Sequence, residues 1–146
     1  MNSRVLFSSA CDDWETPELL RMALYKEFKL NFDPCPLGGT VNGLSSLFCR
    51  WAGKRVYVNP PYGPGIAAWI ERGFEADIAV YLLPARTDVR WFHRLCLPYA
   101  QEIRFLKGRL KFSGHEHGAP FPSMVVVFPE GEQQGRLFPW QTVRTR

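Results

Sequence analysis

The tetrapeptide Asn59-Pro60-Pro61-Tyr62 constrains this chain more than any other stretch. It follows a short apolar run, Arg55-Val56-Tyr57-Val58, that reads as a buried strand, and it precedes Gly63-Pro64-Gly65 and a helical pattern. Proline lacks the backbone donor that a ladder needs, fixes its own φ and restricts the residue before it. The chain must therefore leave the strand at Asn59 in a stiff turn. A second apolar run, Ile78 to Leu83, is continuous, as expected of a parallel strand covered on both faces. Two such strands with a helical pattern between them predict an α/β sheet. In open sheets of that kind ligands collect outside the carboxyl ends of the strands, which is where Asn59 falls.

The turn carries a chemical reading as well. Two prolines leave the Asn59 side chain and the Pro60 carbonyl as fixed hydrogen-bond acceptors. Such a pair suits an exocyclic amino group on a planar ring, adenine N6 for example. The lone pair of that nitrogen is delocalised into the ring, so it is a poor nucleophile. Acceptors that each take one N–H hydrogen favour the pyramidal nitrogen and release the lone pair, while Tyr62 stacks on the base. The plainer alternative is a proline-rich turn that only caps a strand.

Composition sets the frame. The 146 residues suit one domain with a real core, read as residues 1–128, followed by a polar, loosely ordered tail over 129–146. No apolar run approaches a membrane span and no signal peptide is visible, which points to the cytoplasm. Cys11, Cys35, Cys49 and Cys96 form no CxxC pair and read as reduced thiols. A net charge of +4 is compatible with a nucleic-acid partner.

Along the chain, Thr16 and Pro17 read as cap and first residue of a helix with an apolar stripe at Leu19, Leu20, Ala23, Leu24 and Phe28. Alternation at Phe28, Leu30 and Phe32 predicts a strand ending near Asp33. Asp33-Pro34-Cys35-Pro36 is then a stiff turn whose carboxylate either meets the ammonium or hydroxyls of a cofactor or makes an Asx turn with no ligand. Thr40 to Lys54 is hard to read beyond a turn at Asn42-Gly43-Leu44. Ile66, Trp69, Ile70, Gly73 and Phe74 predict a second helix, and Val89, Phe92 and Cys96 a third, capped by Thr87 or Asp88. Arg86 lies at a strand end, on the edge of Asn59 if the strands are parallel, where it would meet a carboxylate or phosphate or remain a plain surface charge. His93, inside the third helix, reads as structural. Glu102 to Leu106 predicts a strand that turns at Lys107-Gly108-Arg109 and returns over Leu110 to Phe112. Arg104, Lys107, Arg109 and Lys111, interleaved with Phe105 and Phe112, make the densest basic-aromatic patch, suited to phosphates and bases or to the solvated face of a hairpin. His115 and His117 lack a further ligand cluster, so no metal is expected. Ser123 to Phe128 is a last strand.

With these residues in place the chain resembles the phage-type DNA N6-adenine methyltransferases from about Asp13 to Phe128. The resemblance lies in the order of Asp13-Trp14 with Thr16-Pro17, Phe32-Asp33, Trp51, Asn59-Pro60-Pro61-Tyr62-Gly63, Leu82-Leu83-Pro84-Ala85-Arg86-Thr87-Asp88, Trp91-Phe92-His93, Gly108-Arg109-Leu110-Lys111-Phe112 and Ala119-Pro120-Phe121-Pro122-Ser123. It implies S-adenosyl-L-methionine as methyl donor, DNA as partner and a Rossmann-like methyltransferase fold. It assigns Asn59, Pro60, Pro61 and Tyr62 to catalysis, and Tyr62 with Arg104, Lys107, Arg109 and Lys111 to the substrate. Trp14, Thr16, Pro17, Asp33, Pro34, Cys35, Asn59 and Arg86 go to the donor. It implies direct methyl transfer to a base that has left the duplex.

Asp33 to Asn59 is too short for the two further strand–helix units of a full methyltransferase sheet. We therefore expect a reduced, mostly parallel sheet of about five strands with a C-terminal antiparallel hairpin and an unusual ribose site, which a second chain in a homodimer would complete. No target-recognition domain fits, so specificity is short, loop-borne or weak. Two alternatives remain open from sequence. One is methylation of another amino group (cytosine N4, RNA guanine N2 or protein glutamine), and the other is a nucleic-acid-binding module without turnover. A phage, prophage or restriction-modification role is compatible with the residues but is not written in them.

Overall fold

A computed structural model describes residues 15–36, 39, 42–112 and 116–130. The chain opens with helix α1 (Glu18–Phe28) and reaches strand β1 (Arg55–Val58) after a long connection without regular structure among its described residues. Helix α2 (Ile66–Arg72), prolonged by a 3-10 turn at Gly73–Glu75, crosses to strand β2 (Ile78–Pro84). A π-helical stretch, Phe92–Cys96, runs into the short helix α3 (Leu97–Tyr99). Strands β3 (Glu102–Phe105) and β4 (Ser123–Pro129) complete the order.

The sheet has the order β1-β2-β4-β3, with β1 and β2 parallel and β4 antiparallel to both β2 and β3. Among the described residues it is thus a mixed four-stranded sheet, where about five strands, mostly parallel, are expected from the sequence. The position of the fifth strand survives as one parallel bridge, Phe32 to Val56. Asp33 ends the pairing there: its Oδ1 accepts the Cys35 N–H at 2.8 Å, and Pro34 and Pro36 have no N–H to offer a ladder. The expected hairpin also takes a different form. Leu110 to Phe112 does not return beside β3: that strand pairs with β4, Glu102 opposite Val127 and Phe105 opposite Met124, and Leu110 to Phe112 joins no strand. Leu110 O instead accepts from the Ala119 N–H, and Leu110, Phe112, Ala119 and Phe121 pack in the cluster on one face of the sheet. The last strand runs to Pro129, opposite Ile78. The tail from residue 131 lies outside the described residues.

Alternation along the strands divides the core. Val56, Val58, Ala79, Tyr81, Leu83, Met124, Val126 and Phe128 face α2 and the π-helical stretch, while Tyr57, Val80, Leu82, Val125 and Val127 face α1, Phe112 and Ala119. The buried stripe of α1 is rotated from the sequence expectation. Leu20, Leu24, Tyr25 and Phe28 meet the core, and Leu19 is 84 % exposed. The α1 cap is corrected too. Pro17 occupies the N-cap, with extended backbone and no side-chain cap bond, and Thr16 spends its hydroxyl elsewhere. The π turn has a cause in Pro98, whose ring would clash with the carbonyl four residues back. Widening the helix, with the Leu97 N–H bonded to Phe92 O, relieves that crowding.

Candidate active site

Because β1 and β2 are parallel, Asn59 and Arg86 emerge at the same edge of the sheet. Phe32, bridged in parallel to Val56, brings Asp33 to that edge as well. β3 points the same way, since both it and β2 oppose β4, so Lys107, Gly108 and Arg109 follow at the same edge. The start of β4 adds Phe121 and Pro122, held by the Ala85 N–H donating to Pro122 O at 2.8 Å. Four loops that are distant in sequence thus converge where the sequence placed the chemistry.

At the centre lies a chain of polar contacts. Thr16 Oγ1 and Tyr57 Oη are 2.5 Å apart. Asn59 Nδ2 donates to Thr16 Oγ1 at 3.4 Å. On the other side of the amide, Tyr62 Oη donates to Asn59 Oδ1 at 2.9 Å, with Leu82 O a second acceptor for the same hydrogen at 3.2 Å. Pro60 is buried and Pro61 half-buried, which stiffens the turn between these anchors. The Tyr62 ring meets the edge of Phe121, centroids 5.3 Å apart at 79°. Tyr57 was read only as one more apolar strand residue. A phenol among valines at an inward-facing position was the available signal.

Two cavities flank this centre. One of about 270 Å³ is lined by Tyr62, Pro64, Ile66, Pro84, Arg86 and Trp91. The other, of about 400 Å³, is lined by Phe32, Asp33, Pro36, Cys49, Arg50 and Lys54, with Lys54 Nζ 3.7 Å from the Phe32 ring centroid. Burial raises the Asp33 carboxyl above its ordinary value, against the Cys35 N–H bond and the charge of Arg21, which lower it. Burial likewise raises the Tyr57 phenol, with the Thr16 bond acting the other way and the Asp33 charge adding to the rise, so this side chain stays protonated.

The structure groups some of the sequence-derived residues and separates others. Asp33 sits at the larger cavity with Pro34 buried behind it, and the Cys35 backbone closes its Asx turn. Thr16 points at Asn59, and Pro17 serves α1. Arg86 lines the smaller cavity beside Tyr62, 6.0 Å from the Phe121 ring, and not the cavity of Asp33. Trp14 and His115 lie outside the described residues. Lys107, Arg109 and Lys111 are exposed. Arg104 stands apart from them. Its guanidinium binds Glu27 at 2.5 and 2.7 Å and Glu102 at 2.5 and 3.1 Å and lies over the Phe28 ring, fastening α1 to β3. His93 Nε2 lies 2.6 Å from Thr87 O, closing the loop before the third helix. Trp51, fully buried, donates to Gly43 O at 2.9 Å and pins the otherwise irregular 42–49 segment against Trp69.

A mixed α/β sheet with an Asn-Pro-Pro-Tyr turn at the carboxyl edge of parallel strands is the arrangement expected of an enzyme that methylates amino groups. The family model described as DNA N-6-adenine-methyltransferase (Dam) matches residues 4–136, and the chain belongs to that family. The activity of the family is methylation of DNA at adenine N6. No curated protein and no solved structure matches the chain. Among the described residues no helix is long and apolar enough to cross a membrane.

Proposed function

We propose that this chain is a site-specific adenine-N6 DNA methyltransferase that uses S-adenosyl-L-methionine and works on a base withdrawn from the duplex. The observation that carries the reading is the Asn59 amide, anchored on both sides at the carboxyl edge of parallel strands.

The donor set at the larger cavity suits S-adenosyl-L-methionine. Its volume of about 400 Å³ falls within the range of roughly 300–1,000 Å³ usual for small-ligand pockets. A carboxylate has about four acceptor positions, and the Cys35 N–H takes one at Asp33, leaving acceptors for an ammonium or for ribose hydroxyls. Lys54 and Arg50 line the same space and suit a carboxylate. When bound, the donor supplies an electrophilic methyl group on a positively charged sulfur.

The chain's own residues prepare the nucleophile. Asn59 Oδ1 and the Pro60 carbonyl take the two amino hydrogens, which favours a pyramidal nitrogen with its lone pair available. Asn59 Oδ1 accepts the Tyr62 hydroxyl on one lone pair and has a second for the amino hydrogen. Leu82 O, at 3.2 Å, is an alternative acceptor for the Tyr62 hydroxyl. Proton loss from the nitrogen can follow methylation, so acceptors suffice and no strong base is needed. The Tyr62 ring lines the smaller cavity with Arg86, which suits the extruded base and an adjoining phosphate. Lys107, Arg109 and Lys111, exposed at or beyond the same edge, suit further phosphates. Specificity then resides in these loops, and a second chain that completes the ribose site stays part of the proposal.

Methyl-labelled donor offered in parallel to DNA, RNA and protein tests the assignment. The expected product is N6-methyladenine in DNA. Label in cytosine, RNA or glutamine would move the same site to another substrate, and donor binding without transfer would leave a binding module.

A further inference from the structure

Thr16 and Tyr57 carry hydroxyls into the apolar layer beneath α1, where Thr16 is 5 % and Tyr57 1 % exposed. Leu24, Leu30, Val80 and Leu82 belong to the same buried cluster as Tyr57. Valine and phenylalanine would fill these positions with nearly the same shape. Replacing both partners of a buried hydrogen bond by apolar groups of equal shape is often neutral or stabilising. Core stability therefore gives little reason for the pair.

What the pair adds is a contact to the turn. Asn59 Nδ2 donates to Thr16 Oγ1, and Thr16 Oγ1 is held in turn by Tyr57 Oη. The side-chain amide of asparagine rotates about a broad, two-fold torsion, and its oxygen and nitrogen ends are nearly equal in size. Only the oxygen accepts an amino hydrogen; the nitrogen would set a donor against a donor. A partner for Nδ2 seated back in the core, together with the Tyr62 hydroxyl on Oδ1, fixes which end faces the substrate.

We propose that Thr16, fixed by Tyr57, is a positioning residue that sets the orientation of the Asn59 amide and does not itself enclose the donor. The proposal rests on the role given to Asn59 above. Neither residue lines either cavity. Tyr57 acts through Thr16, and Thr16 acts through Asn59.

The test compares Thr16→Val, Thr16→Ser, Tyr57→Phe and the Thr16→Val/Tyr57→Phe double variant in the full chain. Thermal unfolding, donor binding by calorimetry, DNA binding and kcat at saturating donor and DNA are measured. The double variant is expected to unfold within a few degrees of wild type and Thr16→Val, which leaves the buried Tyr57 hydroxyl without that partner, at a lower temperature; both should bind donor and DNA as wild type does. Their kcat should fall about ten- to a hundredfold, the scale set by a misplaced reacting group. Thr16→Ser, which keeps the hydroxyl, should recover most of the rate, and Tyr57→Phe should lose part of it. Undiminished kcat in Thr16→Val overturns the proposal. So does a loss confined to the KM for the donor, which would return Thr16 to the donor site. Should Thr16→Val fail to fold, Tyr57→Phe decides alone, and full kcat there overturns the proposal. An inactive wild type overturns the role of Asn59 and this proposal with it; an active wild type with undiminished variants overturns the proposal alone.

Discussion

Asparagine in place of Asp33 separates what this residue costs the fold from what it offers a cationic ligand. The substitution keeps the local backbone, because an amide oxygen accepts the Cys35 N–H as the carboxylate does at 2.8 Å. It removes a negative charge that burial disfavours, as the raised pKa of Asp33 records. For a carboxyl raised in the folded state, the folded form binds its proton more tightly than the unfolded form. The stability contributed by that proton is fully present below the unfolded value, near 3.8, and is lost as pH rises through the raised native value. At neutral pH the ionised Asp33 is therefore a net cost. Asp33→Asn should raise the melting temperature at pH 7 and flatten the fall in stability with pH just above the unfolded value. Donor binding should move in the opposite direction. Losing a hydrogen bond to a charged group costs about 1.5–3 kcal/mol, or roughly 10- to 150-fold in affinity. Calorimetry with S-adenosyl-L-methionine and thermal unfolding across pH read both effects. A less stable variant at neutral pH, or one that binds the donor as wild type does, would refute the role given to Asp33.

Other consequences follow from the same geometry. Ala in place of Lys107, Arg109 or Lys111 should weaken DNA binding and lower the salt slope by about one unit each, as expected for a phosphate contact. Arg104→Ala should leave that slope unchanged, since its charge is committed to Glu27 and Glu102, and should lower stability by about 1 kcal/mol or less, read by urea unfolding. Gly73→Ala places a methyl against the Tyr81 hydroxyl, which donates to Trp69 O at 2.7 Å. Overpacking there should cost about 1–3 kcal/mol in urea unfolding. Gly43→Ala drives its Cβ into Pro34 O and the Trp69 ring; since the displaced segment leads to Cys49 and Arg50 at the larger cavity, donor affinity should fall with stability.

The sequence made the heart of the sheet readable because strands buried on both faces are written as continuous apolar runs. Val56 to Val58, Ile78 to Leu83 and Ser123 to Phe128 all lie in strands, and the edge shared by Asn59 and Arg86 follows from β1 and β2 being parallel. Phe32 was harder. Alternation at Phe28, Leu30 and Phe32 suggested a full strand, but an Asx turn and two prolines directly after it leave a single bridge. The return at Leu110 to Phe112 failed because Leu110 and Phe112 spend their apolar side chains in the cluster with Tyr57 and Val125 and not in pairing with β3. Thr16 is the clearest case of tertiary contact overriding a local signal. A threonine before Glu18 looks like a cap, yet its oxygen is used by Tyr57 and Asn59, partners more than forty residues away. Arg104 belonged by sequence with its basic neighbours, and only the fold brings Glu27 to meet it.

The central claim is that the Asn59 amide activates a substrate amino group and does not merely shape a turn. Methyl transfer to DNA by Asn59→Ala, measured beside DNA binding by the same preparation, tests it most directly. Losing one preorganised group of this kind costs about 10²–10³ in rate. The account predicts a loss of at least that order with DNA affinity nearly intact. A variant that still transfers methyl groups at close to the wild-type rate, or one whose DNA binding falls as far as its activity, would contradict it.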